Sequence, residues 1–217
     1  MLETSLLRLA NAGDRRVVLC WPPACISEFA EVAGPAWQVQ PQHAGDLSVR
    51  LTGFFADAFQ ANATRVIAIG SDCPELDCRT IENAFAILDS NRVVLGPAGD
   101  GGYYLVGMRE PTAWLFEGID WSTNRVWEQT RRKLSNRNVA WGALPQMNDV
   151  DDTSDLIRLC ARLANSADGL DQNLLSRLRT EVAGNVNGDN EPCERDHARC
   201  VDSSFPIKPH SIGGARE

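Results

Sequence analysis

No stretch of this sequence stays apolar for long enough to span a bilayer. Its opening, MLETSLLRLANAGDRR, carries an acid at Glu3 and lacks a basic start followed by an apolar block, so it does not read as a secretory signal. Positive charge is also in short supply. Lys and Arg number 21 against 29 Asp and Glu, a formal net charge of -8 over 217 residues. A surface that acidic repels a phosphate backbone, and this argues against a nucleic-acid partner. A small phosphorylated ligand stays open, because a bound metal ion neutralises it locally. No internal repeat is visible. A soluble, cytoplasmic protein is the expectation.

The seven cysteines are an odd count. Cys20, Cys73 and Cys160 stand in apolar or motif-rich stretches and read as small buried hydrophobes rather than disulfide partners. Cys193 and Cys200 flank His197, but their spacing is not that of a zinc finger and a fourth ligand is missing. Past about Gly184 the chain turns polar and loses periodicity. The expected organisation is one domain over 1–184 and a flexible tail over 185–217.

What is present is an alternation of strand-like and helix-like patterns. Leu2, Leu6 and Leu9 mark a first helix, RVVLCW from Arg16 a strand, and Trp37 to Pro41 another. Leu47, Leu51, Phe54, Phe55, Ala58 and Phe59 form the strongest amphipathic helix, with Asp46 as its cap. RVIAIG from Arg65 reads as a strand covered on both faces. Asp77 caps a helix bearing Ile81, Phe85 and Leu88. Strands follow at Arg92 to Gly96 and Tyr103 to Val106. Ser122 or Thr123 caps a helix to Leu134, a strand spans Val139 to Leu144, and Asp152 caps a last helix through Leu163. This order predicts a mostly parallel sheet between helical layers, with ligands at the carboxyl ends of strands.

Five segments bear candidate chemistry. In IGSDCPEL, Asp72 stands at a strand tip, where a carboxylate suits Mg²⁺ or Mn²⁺ and those ions grip diphosphate oxygens. A carboxylate that only caps its own turn is the plain alternative. In GPAGDGGYYL, Gly99, Gly101 and Gly102 surround Asp100. The glycines permit close approach of a ligand, and Asp-Gly equally marks a hairpin turn. NDVDDTSDL crowds acids at a helix start. Asp152 and Asp155 serve capping, while Asp149 and Asp151 are left over as weaker metal-ligand candidates. Arg50 is a candidate phosphate contact or a solvated side chain, and Trp121 either packs or meets a sugar or base.

Taken together, IGSDCPEL, VVLGPAGDGGYYLVG, FEGIDWSTNRVWEQT, PQHAGDLSVRL and NDVDDTSDL resemble a bacterial family of glycosyltransferase-A-like proteins, over roughly Leu2 to Leu163. That family is related to nucleotide-diphospho-sugar transferases and, more distantly, to molybdopterin and phospholactate nucleotidyltransferases. The resemblance implies a three-layer α/β/α Rossmann-like nucleotide-diphospho-sugar transferase fold. Asp72 and Asp100 are the candidate catalytic and metal-ligating residues, and the resemblance implies that Asp72 stands where such folds keep their metal-binding aspartate and that Asp100 borders the donor or acceptor pocket. It also implies that Gly99, Gly101 and Gly102 border the pocket, and a metal-dependent transfer from a nucleotide-sugar donor. A nucleotidyltransferase and a degenerate binding module are the other two readings.

Members usually open with a strand and a Pro/Gly-rich loop holding Lys and Arg. Here the sequence starts at the helix that follows, and no Lys occurs before Lys133. Either the true start lies upstream, or the loop and ordinary donor binding have been lost. The first strand is typically central, so its absence is expected to leave a sheet edge that the tail or a second copy of the chain, as a homodimer, would cover. Ser48 stands where the family often has Gly, a change expected to cost little inside a helix.

Overall fold

The computed structural model describes residues 1–186. Seven α-helices are found there: α1 (Leu2–Arg8), α2 (Ile26–Ala33), α3 (Leu47–Gln60), α4 (Cys78–Ser90), α5 (Val126–Asn136), α6 (Thr153–Leu163) and α7 (Gly169–Val186). Six strands accompany them: β1 (Val17–Cys20), β2 (Gln38–Pro41), β3 (Val66–Ile69), β4 (Val93–Pro97), β5 (Tyr103–Met108) and β6 (Trp141–Ala143). The expected alternation holds along most of the chain. Two helices lacked a clear signal in the sequence. One is α2, hidden behind Pro22 and Pro23. The other is α7, which follows the polar stretch after Leu163.

The strands form two sheets. β1 and β2 pair in parallel, and a four-stranded sheet runs in the order β3-β5-β4-β6. Within the larger sheet β5 is antiparallel to both β3 and β4, while β6 is parallel to β4. Three of its four strands therefore share one direction, as the α/β reading requires. The reversed strand has a plain cause: the loop from Ala98 to Gly102 is far too short for a crossover, so β4 and β5 close as a hairpin.

Helices cover both faces of this sheet. On one side Leu9, Ile81, Ala84 and Leu88 pack on Val94, Leu105 and Ile67. On the other, Phe55 of α3 and Leu134 of α5 pack on Val93, Leu95, Val106 and Met108. β4 is fully buried through Gly96, as a central strand should be. β3 is not covered on both faces as RVIAIG suggested. It lies at the edge of its sheet, and Ile69 is 37% exposed. Among the described residues, no strand pairs the outer edge of β3 or the outer edge of β1.

α6 and α7 form a hairpin around Leu159, Leu163, Leu174, Leu175 and Leu178. Arg8 of α1 donates to Asp171 of α7, tying this hairpin to the amino end; both side chains are nearly buried. No described helix is long and apolar enough to cross a membrane. Cys20, Cys73 and Cys160 are free thiols, the first two buried. The proposed tail from residue 185 and the group Cys193, His197 and Cys200 fall almost wholly outside the described residues.

Candidate functional site

β3 ends at Ile69, and the main chain turns at once. Gly70 N–H donates to Tyr104 O at 3.0 Å, which fixes the turn to β5. A Cβ on Gly70 would lie 2.5 Å from Asp72 Oδ1, so only glycine lets the Asp72 carboxylate fold back here. Cys73 and Leu76 bury themselves behind the loop, and Asp77 caps α4 by accepting from Thr80 N–H. Asp72 is thus presented by a buried two-sided anchor.

The β4–β5 hairpin supplies Asp100. Ala98 N–H donates to Gly102 O, and Asp100 Oδ1 accepts from Gly102 N–H at 2.7 Å. Gly101 has φ +92, and a Cβ there would meet the Asn124 backbone oxygen at 2.5 Å. Its carbonyl accepts from Trp127 N–H at 2.8 Å. Gly101 therefore seats the hairpin against the start of α5. The turn reading holds: the glycines make a tight turn, and the turn places Asp100 at the exposed carboxyl end of β4.

The third wall precedes α6. Asp152 and Asp155 form a reciprocal cap, as the sequence predicted. The preceding residues run beside the Asp72 loop. Val150 N–H donates to Asp72 O at 3.1 Å, Cys73 Sγ–H points to Asn148 O at 3.8 Å, and Met147 N–H donates to Pro97 O. Asp149 and Asp151 are thereby carried to Asp100. Carboxylate oxygens of Asp100, Asp149 and Asp151 all lie within 4.8 Å of one another.

Asp72 is not a member of that triad, yet it belongs to the same field. Burial first, then the charges of Asp151 and Asp100, raise its carboxyl above the usual carboxylate range. Burial, followed by Asp100 and Asp151, pushes Asp149 up to about 7. Four acids from three separate segments thus repel one another in one place. That is the arrangement a divalent cation relieves. Oxygens that share one Mg²⁺ at roughly 2.1 Å stand about 3–4 Å apart, a spacing compatible with carboxylate oxygens that all lie within 4.8 Å of one another. The all-oxygen donor set suits Mg²⁺ or Mn²⁺.

The other candidates line up differently. Trp121 Nε1–H donates to Ser48 Oγ at 2.7 Å, and Ser48 in turn donates to Phe116 O at 2.7 Å. The indole also meets Tyr103 edge-on at 6.1 Å, so Trp121 packs between α3 and β5. Ser48 is accordingly more than a tolerated replacement for glycine, since it satisfies an indole donor at the start of α3. Arg50 donates to Gly45 O and Gln42 Oε1 and lies over the exposed Trp21 ring at 5.6 Å. Neither Ser122 nor Thr123 caps α5 through its side chain: the cap is Arg125, Ser122 takes φ +58, and Thr123 donates to Asp120 O instead. The sequence offered Asp151, with Asp149, as a weaker metal-ligand candidate. Its juxtaposition with Asp100 depends on a long-range pairing of chain segments that no local pattern encodes.

A family of bacterial proteins, described as "Uncharacterized protein conserved in bacteria (DUF2064)", matches residues 5–123, more than half of the chain. The chain belongs to that family. The matched part includes Arg50, Asp72, Asp100 and Trp121. A structure from Desulfovibrio desulfuricans G20, provisionally named a nucleotide-diphospho-sugar transferase, is 28% identical with a TM-score of 0.73. The alignment covers 84% of this chain and 83% of that one. A cytidylyltransferase from Leptospira borgpetersenii serovar Hardjo-bovis (strain JB197) is similar in fold at 16% identity and a TM-score of 0.51, over 88% of this chain and 87% of its own. Rv0371c from Mycobacterium tuberculosis H37Rv is similar at 16% identity and a TM-score of 0.50, over 73% and 82%. No curated protein matches the chain. These likenesses establish the nucleotide-diphospho-sugar transferase fold.

Proposed function

We propose that the chain is a divalent-metal-dependent transferase acting on a nucleotide-sugar donor, with its metal at Asp100, Asp149 and Asp151 and with Asp72 beside them. The convergence of these four carboxylates at the carboxyl ends of β3 and β4 carries the reading. Likeness to the Desulfovibrio protein over most of both chains supports it. A bound Mg²⁺ or Mn²⁺ would supply positive charge to the leaving nucleoside diphosphate and fix its orientation. The chain's own residues hold the rest of the crevice. The Gly101 turn keeps Asp100 at the surface, and the Val150–Asp72 pairing keeps the acidic walls together.

Such a site reconciles an acidic protein with an anionic ligand, because the ion bridges charges that would otherwise repel. A thermal-shift panel of sugar nucleotides, nucleoside diphosphates and triphosphates, each with and without Mn²⁺ or Mg²⁺, tests the proposal. A metal-dependent rise in melting temperature for a sugar nucleotide is the expected result. A rise with triphosphates alone would point to nucleotidyl transfer. A flat panel would favour the degenerate binding module.

A further inference from the structure

Four carboxylates gathered from three segments push those segments apart. The main-chain pairing of Val150 with Asp72 is a single hydrogen bond. Beside it Cys73 Sγ–H points to Asn148 O at 3.8 Å, and a stronger, charged tie joins the same loop to α6. Arg162 of α6 donates to both oxygens of Glu75, with Nε at 3.0 and 2.9 Å and Nη2 at 2.6 Å. The pair is about two-thirds buried on each side. It joins residues 87 positions apart in the chain.

The placement of the two partners is what gives this pair meaning. Glu75 lies three residues after Asp72, in the same loop. Arg162 lies on the helix that begins immediately after Asp149 and Asp151, one whose first turn is locked by the Asp152–Asp155 cap. A rigid helix therefore links the guanidinium to the Asp149 segment, and a short stiff loop containing Pro74 links Glu75 to Asp72. The charges named as acting on Asp72 and Asp149 are those of other carboxylates. What the geometry gives Arg162 is a positional link: its side chain joins α6 to the Asp72 loop through Glu75.

We infer that Glu75 and Arg162 are positioning residues, a clamp that holds the Asp72 loop and the Asp149–Asp151 segment at the spacing a cation needs. The inference rests on the metal reading of the acidic cluster. Arg is required here because its planar fork grips both carboxylate oxygens, which a lysine cannot do. Partners that orient metal ligands typically contribute tenfold to a hundredfold to metal affinity.

The test is Mn²⁺ titration by calorimetry on the full chain, comparing wild type with Arg162→Gln, Arg162→Lys and Glu75→Gln. Arg65→Gln, which breaks the exposed Arg65–Asp89 pair elsewhere on the surface, is the control. Each variant's folding is checked by circular dichroism. The clamp predicts roughly tenfold or greater weakening of Mn²⁺ binding in Arg162→Gln and Glu75→Gln, partial recovery in Arg162→Lys, and no change in Arg65→Gln. Wild-type affinity in folded Arg162→Gln and Glu75→Gln would overturn the clamp and leave the metal site standing. Absence of Mn²⁺ binding in wild type would overturn the metal site itself, and the clamp with it. Should Arg162→Gln fail to fold, Glu75→Gln, which keeps the side-chain shape, decides the question.

Discussion

The main-chain N–H of Val150 donates to the carbonyl of Asp72 at 3.1 Å, joining two segments that are distant in the sequence beside the acidic cluster. Through this bond the residues before α6 become the third wall of a site whose other walls are the tips of β3 and β4. The acids that flank it then serve as reporters of what the site holds.

Replacement of the triad acids is the first such probe. Asp100→Asn, Asp149→Asn and Asp151→Asn should each weaken Mn²⁺ binding by roughly tenfold or more, since ligands matter at least as much as their supports. Asp72→Asn should weaken it as well, by removing a neighbouring negative charge, while the Val150 pairing to its carbonyl survives. Calorimetric titration of the four variants distinguishes them. Unchanged affinity in Asp149→Asn would remove that residue from the site.

Asp149 also makes stability depend on pH. Its carboxyl in the folded protein is pushed up to about 7 by burial and by Asp100 and Asp151, whereas an unfolded chain titrates near about 3.9. The folded state binds this proton more tightly, so the group imposes no penalty below about pH 4. The penalty grows as pH rises from about 4 to 7 and is fully present above. Melting temperature without metal should therefore fall over that window. The fall should shrink in Asp149→Asn, and should shrink in wild type when Mn²⁺ is added. Identical pH profiles for wild type and variant would contradict the shift.

Gly101 is predicted to be irreplaceable for backbone reasons. Gly101→Ala meets both a left-handed φ and the Asn124 main chain, so it should cost about 2 kcal/mol or more in urea unfolding. Gly118→Ala is the useful comparison. It shares a positive φ, but nothing lies within 4 Å of its Cβ position. A smaller loss there than at Gly101 isolates the packing against Asn124.

Ser48→Ala should cost about 1–3 kcal/mol, because it strands the Trp121 indole N–H in a packed setting. Urea denaturation followed by tryptophan fluorescence reads it. A loss no greater than that of an exposed Ser→Ala substitution would show that the indole finds another acceptor.

Much of this was legible in the sequence, for local reasons. Asp46, Asp77 and Asp152 cap the helices they precede, because a cap is a contact three residues long. VVLG reads as a buried strand and is one. The reversal of β5 was also present in the length of the GDGG loop, which is too short for anything but a hairpin. Three features were not legible. The exposure of β3 depends on which strands neighbour it. The failure of Ser122 and Thr123 to cap α5 depends on a left-handed Ser122, unusual for a residue other than glycine. The approach of Asp151 to Asp100 depends on α6 packing behind the Asp72 loop. Each is decided by tertiary contacts that periodicity does not carry.

The central claim is that Asp100, Asp149 and Asp151 form one divalent-cation site. Electron paramagnetic resonance of Mn²⁺ titrated into the full chain tests it most directly, since free and bound ion give different signals. The account predicts one bound Mn²⁺ per chain, displaced by Mg²⁺ and lost when Asp149 and Asp151 are both changed to Asn. A wild-type chain that leaves all the Mn²⁺ free, or a doubly substituted chain that binds it as wild type does, would contradict the account.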